Sequence, residues 1–398
     1  MSEARVNNLS NESNTGGPTI SGITTFSSPY FFVPPVGNTE QRPDNPQKGA
    51  LRFNTDSKHL EYYRGDNIGW TEIEASNDEL GGGTGSNAGF GTRGLFINGF
   101  APGGVGQLNT IDYVTISTLG NAQDFGDSTT KTFQDGVCSS RTRSFALGGS
   151  LASGQTEDIS TNVFSSLGNG VKFGELTDKN YGNKALSDAT RGISAGGEGP
   201  SSSAGLNMME YITMASTGNA VDFGDITAGL RIGQFTTMNS TRGLYVGGRT
   251  ASPGTVALHN AIDYVTIQTT GNTTDFGDLT AGRSSGGISG SVCNATRGFV
   301  VGGYNWPSNP TTYYNIIEYI TTATLGNSQD WGDLVTTRTG AAICSSPIRG
   351  VVAGGSTPSL STNIDCFSIV TAGNAVDFGD TTQARRTVAG ASNGHGGL

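Results

Sequence analysis

Charged side chains are scarce, at 14% of 398 residues, and acids outnumber bases by 33 to 23. A net charge of -10 with no Lys/Arg cluster argues against a nucleic-acid binder, whose affinity comes from such clusters. No run approaches the ~20 apolar residues of a membrane-spanning helix. The first residues, MSEARVNNLSNESN, lack the basic-then-apolar order of a secretion signal. The expectation is therefore a chain made in a cytoplasm, with no membrane insertion. Histidine is limited to His59, His259 and His395, far apart in the sequence. Cys138, Cys293, Cys344 and Cys366 match no CxxC zinc or redox spacing and are expected to be free, buried thiols. No nucleophile stands beside a base, so no catalytic residue, cofactor or metal is assigned and an enzyme is not expected.

Glycine is abundant, with 62 residues, about twice the usual share. It costs roughly 1 kcal/mol per helical position relative to alanine. With plentiful Ser, Thr and Asn, this composition suits short strands and tight turns. The expected class is all-β.

A period near 50 residues runs through most of the chain. One marker is Thr92-Arg93-Gly94, echoed at Arg143, Arg191, Arg242, Arg297 and Arg349. The other is GNAxDFGD, six copies starting at Gly120, Gly168, Gly218, Gly271, Gly326 and Gly373. Each repeat reads as four short strands. TRGLYVGG (241–248) is the second strand, IDYVTI (262–267) the third, and DFGD a short outer one. A small-residue stretch such as RTGAAICSS (338–346) is the innermost. The array begins with a TRG strand that lacks a small-residue strand before it. It ends with ARRTVAGASNG (384–394), which lacks a TRG strand after it. The two ends are expected to complete one unit.

Paired Gly302-Gly303, then Tyr319, then Trp331 resemble a kelch repeat in order and spacing, with Phe125, Phe223, Phe276 and Phe378 in place of Trp elsewhere. The resemblance spans 92–398 and implies a six-bladed kelch-like β-propeller closed by strands from both ends of the array. Radial repetition of four-stranded sheets manages the edge-strand problem.

The first quarter differs. Residues 1–17 are polar and expected to be a disordered tail. Residues 18–47, with Pro29-Tyr30-Phe31-Phe32-Val33-Pro34-Pro35, suggest an extended arm. Residues 49–73 read as a small β-meander, 18–80 as an attachment module, and the glycine-rich 81–91 as a linker. Arg52, Phe53, Asn54, Thr55, Leu60, Glu61, Tyr63 and Trp70 resemble the RFNT…LE-Y…W module of phage tail fibres and other virion structural proteins. The repeat phrases are similar to those of marine-phage virion propellers. What this implies is a virion protein, a tail fibre or tip component. It would dock on other virion proteins through 18–73, form homo-oligomers such as trimers, and contact host surface polysaccharide. The alternative is a purely structural capsid-decoration or tail-assembly part.

Three residue sets are candidates for particular roles. The repeated DFG lacks the companion motifs of a kinase, and the Asp pairs of DFGD are read as Asx turns rather than a calcium site. The arginines of the TRG strand are expected to lock onto Asp112, Glu210, Asp263, Glu318 and Asp365 of the next strand, with Ser160 breaking the pattern. The segments joining second and third strands (100–110, 150–158, 198–208, 249–261, 304–315, 356–363) vary most. Among them Tyr304, Asn305, Trp306, Tyr313 and Tyr314 form the candidate glycan contact, since aromatic faces stack on sugars and amides bond hydroxyls.

Overall fold

A computed structural model describes residues 34–57, 59–73, 92–200, 205–227, 229, 231–250, 257–306, 310–357 and 359–398. The described residues hold strands, turns and one 3-10 turn, and no α-helix. The chain divides into two compact units, Met1–Asn77 and Asp78–Leu398. The expected tail 1–17, most of the arm and the linker 81–91 lie outside the described residues.

In the first unit Leu51–Asn54, Leu60–Tyr63 and Trp70–Ile73 form an antiparallel meander. Beyond expectation, Val36–Gly37 joins it as a fourth, parallel strand. The end of the proposed arm is therefore part of the sheet. Arg52 Nη2 holds it there by donating to Asn38 O at 2.9 Å, and Asn38 caps the 3-10 turn Thr39–Gln41. Glu61 is the hub, fully buried, with Arg42 Nη2 at 2.5 Å, Asn54 Nδ2 at 3.2 Å and Arg52 Nη1 at 3.5 Å. The hydrogen bond from Arg42 pulls its carboxyl below the usual range. Hence the RFNT…LE pattern is a charge-neutralising cluster that a small sheet can bury.

The second unit contains six four-stranded repeats. The fourth is representative: Phe235–Met238, Arg242–Val246, Ala261–Thr266 and Thr274–Asp278 pair in that order, all antiparallel. Inner strands such as Gly136–Ser139 and Ala342–Ser345 are buried at every residue. Small side chains and backbone polar groups satisfied by pairing make this possible. At the ends of the array, Ala389–Ser392 pairs antiparallel with Arg93–Ala101, with Ala391 opposite Leu95. The last strand therefore sits in the first repeat. Each inner strand neighbours the next, and Ala389–Ser392 neighbours Gly136–Ser139, so their succession is closed. Ser289–Gly290 runs parallel to Ala342–Ser345 and Ala389–Ser392 and merges the sixth and first repeats into one curled nine-stranded sheet.

The GN and DFGD phrases are two halves of one contact between repeats. In all six, the Gly N–H donates to the aromatic carbonyl of the preceding repeat, as in Gly271 N to Phe223 O at 2.8 Å. The adjacent Asn side chain accepts from the last residue of the DFGD phrase, as in Asp225 N to Asn272 Oδ1 at 2.9 Å. The series closes through Asp380 N to Asn121 Oδ1 at 3.1 Å. A Cβ on Gly277 of DFG would lie 2.4 Å from Gly326 O, and its φ of +153° already favours glycine. The preceding aromatic sits in a β-bulge, since Ile262 faces Gly277 while Asp263 faces Asp275. It is thus the Asn of GN, not the expected Asp of DFGD, that makes the side chain–backbone bond. The chain needs a neutral acceptor reaching across, and a carboxylate on the outer strand points to water.

The arginine–acid locks exist with different arginines. Arg231–Asp263 (2.8 Å), Arg283–Glu318 (2.6 Å), Arg338–Asp365 (2.8 Å) and Arg385–Asp112 (3.1 Å) are buried ion pairs. These arginines lie on the crossover that precedes each inner strand. The TRG arginines point the other way. Arg93, Arg191, Arg242 and Arg297 lie over Tyr113, Tyr211, Tyr264 and Tyr319 of their own repeat. Arg93, Arg191, Arg242, Arg297 and Arg349 also donate to a carbonyl of the following repeat, as in Arg349 Nη1 to Ile116 O at 2.8 Å. The reason is register. Arg242 stands opposite Thr266 at the far end of the strand pair from Asp263. In the second repeat Thr132 and Ser160 replace both partners. In the third Asn180 replaces the arginine, and burial pushes the carboxyl of Glu210 up.

Two outcomes follow from these contacts. Deleting 383–398 removes the inner strand and the Arg385 lock of the first repeat, so a large drop in melting temperature or aggregation is expected; scanning calorimetry showing a melt within a degree or two of the parent would contradict the pairing. Arg338→Met should cost about 3–5 kcal/mol, because it strands the buried Asp365 carboxylate. Adding Asp365→Leu should recover most of that loss in denaturant titrations, and simple additivity would rule out the coupling.

Candidate functional site

The crossovers that carry the locking arginines reach the end of the inner strands where those strands begin. There, Gln134, Tyr181, Lys184, Ile232 and Ser284 from crossovers and strand starts meet Glu198, Arg249 and Tyr304 from the connections between second and third strands. They enclose a pocket of about 190 Å³. Among the inner strands the chain is tightly packed: Ser289 Oγ donates to Asp135 O at 2.8 Å, and Gly290 passes so near the neighbouring strands that a Cβ would lie 2.0 Å from Ile343 O.

Lys184 is the pocket's most unusual residue. It begins the inner strand Lys184–Ser187, is fully buried, and its Nζ has no hydrogen-bond partner. Burial lowers its pKa to about 8. Asp135 lies nearby, pushed up to about 7 by burial, with Asn98 Nδ2 at 2.5 Å and Thr132 Oγ1 at 3.1 Å. Glu198 accepts a hydrogen bond from Tyr181. Burial raises the Tyr181 phenol to about 12, keeping it a donor.

The five aromatic-loop candidates divide. Tyr304 lines the pocket and stacks on Tyr313, with centroids 6.2 Å apart and planes 14° apart. Trp306 is 39% exposed and lies under the Arg249 guanidinium at 4.8 Å. Asn305 is occupied in the loop itself, accepting from Thr312 N at 2.6 Å. Tyr314 contributes backbone, donating to Gly303 O at 2.9 Å and accepting from Arg338 N at 3.0 Å. The loop's Asn309 lies outside the described residues. In the first two repeats the supposed variable loops are largely hairpin, with strands Arg93–Ala101 and Gly106–Thr115 leaving only 102–105 between them. Lys184 and Arg249 were not among the candidates. The available signal was a lysine in NKALS, where the other inner strands begin with apolar or small residues.

At the opposite end the last residues fold over the inner strands. His395 Nε2 donates to Ser139 O at 2.9 Å, while Nδ1 accepts from Gly397 N at 3.1 Å. Gly396 N donates to Cys293 O at 3.1 Å. All four cysteines are buried and unpaired. No group of three metal-ligating side chains occurs among the described residues, and none of their helices is long and apolar enough to cross a membrane. No protein-family model matches the chain, and no curated protein matches it.

Burial lowers the His395 pKa to about 4, and protonating Nδ1 would also set N–H against N–H. The neutral ring is the folded form, so its contribution is complete above the unfolded value near 6.5 and is lost as pH falls toward 4. The loss should reach about 3 kcal/mol. Comparing denaturant stability from pH 7.5 to 4 with that of His395→Gln isolates it. A parallel pair of pH profiles would contradict the assignment.

Proposed function

We propose that this chain is a non-catalytic virion protein of a tailed phage, a fibre or tip component that displays a six-bladed kelch-like propeller toward the host surface. The six repeats would be its blades, and the inner strands its axis. The observation that carries this reading is the N-terminal module. Arg52 and Asn54 of its RFNT phrase meet Glu61 of its LE phrase, together with Arg42, in one buried cluster, so part of the resemblance to virion modules coincides with a structural unit. The same sheet leaves Val36, Leu51, Leu60 and Ile73 exposed, apolar area suited to docking on other virion proteins or to trimerisation. At the pocket end of the other unit, Tyr304 and Trp306 stand beside Arg249, a grouping suited to sugar rings. The purely structural alternative draws support from the loop's internal stacking of Tyr304 on Tyr313.

Trp306→Ala with Tyr313→Ala removes two rings outside the repeat cores, so the fold should survive while binding to host cells or extracted surface polysaccharide falls about tenfold or more. Unchanged circular dichroism with unchanged cell binding would move the function to the structural alternative.

A further inference from the structure

We propose that the axial pocket is a receptor subsite for a carboxylate-bearing sugar, with the Lys184 ammonium and the Arg249 guanidinium receiving the carboxylate and Tyr304 forming a wall for the ring. This assignment rests on the host-surface reading above and narrows it to one chemistry. It starts from the unpaired ammonium. A buried polar group without a partner is costly, and native proteins seldom keep one without a reason. Lys184 Nζ is such a group, in a side chain that lines an open pocket. Inner strands elsewhere begin with Gly136, Phe235, Ala342 or Ala389, so the architecture has no need of an amine at this position.

The surroundings select an anion with a ring attached. Arg249 adds a second cation on the lining, held by Trp306 at 4.8 Å. This happens in a chain whose overall charge is -10, so the local balance runs against the whole. Two acids oppose it, and each is at least partly engaged. Glu198 accepts from Tyr181. Asp135 spends Oδ2 on Asn98 and Thr132, keeps a buried Oδ1 without a partner, and acts on Lys184 through its charge but makes no ion pair with it within the 4 Å that a salt bridge requires. A carboxylate entering the pocket would gain charge-assisted bonds from an amine that has no others to lose. Tyr304, stacked flat on Tyr313, offers a fixed aromatic surface for the C–H face of a pyranose. A volume of about 190 Å³ admits a terminal sugar and excludes a folded partner.

The test uses the full-length protein and two probes that differ only in the acid group, methyl β-D-glucuronide and methyl β-D-glucoside. Titration calorimetry should give the glucuronide at least about tenfold the affinity of the glucoside. Lys184→Met, close in shape, should abolish that preference. If that variant fails to fold, Arg249→Gln on the pocket lining should reduce it severalfold. An independent readout is acylation of Lys184 by acetic anhydride, followed by mass spectrometry: the glucuronide should slow it and the glucoside should not. Equal binding of the two glycosides, or labelling of Lys184 unaffected by either, overturns the proposal. Host-cell binding on the same samples separates the levels. Cells bound without acid preference overturn the pocket assignment alone, and no cell binding overturns the surface-contact reading with it.

Discussion

Every repeat depends on the contact between one repeat's GN and the previous repeat's DFG. A four-stranded sheet alone has two open edges and a core too thin to stabilise itself. Here the outer strand is tied sideways at its bulge, by a backbone bond and an asparagine that together serve in all six repeats, for instance at Gly326 and Asn327. The approach is so close that Gly277 and its counterparts tolerate no Cβ. This contact keeps the glycines and the asparagine in nearly every copy, while positions between them drift. Stability then comes from neighbours rather than from any one unit, and the antiparallel pairing of Ala389–Ser392 with Arg93–Ala101 leaves no repeat without a neighbour.

The inner side of four of the six repeats uses a second device. Crossover arginines are taken fully out of water against Asp112, Asp263, Glu318 and Asp365. Burial disfavours the charged form of both partners, holding Arg338 below and Asp365 above the ordinary value. Such pairs add little net stability over apolar packing, but they penalise a wrong register heavily. In a chain of near-identical repeats, where strands of one unit could pair with those of another, that penalty is useful. The two repeats without the full pair differ in kind. The second has lost both members, which is consistent. The third keeps Glu210 without its arginine, and Thr177 N supplies the remaining bond at 2.8 Å.

The all-β class, the strand order within a repeat and the positions of the inner strands were legible because glycine pairs and apolar alternation are local signals. Contacts were less legible. Proximity in sequence suggested that Arg242 would meet Asp263, yet antiparallel register puts Arg242 opposite Thr266. The true partner, Arg231, stands on a crossover whose path no periodicity announces. The pocket was legible only in its outer part. Tyr304 and Trp306 stood out as aromatics in a variable loop, whereas Lys184 looked like one more polar residue in a strand. Its character comes from what surrounds it, and burial is a property of the assembled chain.

The two ends of the inner-strand bundle are filled differently. At the end where these strands finish, the final residues supply donors and acceptors in matched pairs: His395 spends both ring nitrogens, and Cys293 O takes the Gly396 amide. Ser144 Oγ and Asn162 Nδ2, which flank Ser139 at this end, are nonetheless buried without a partner. At the end where the strands begin, a cavity remains, lined by an amine with no hydrogen-bond partner. The amine at the cavity is held at a cost in stability, a cost that the proposed carboxylate ligand would offset.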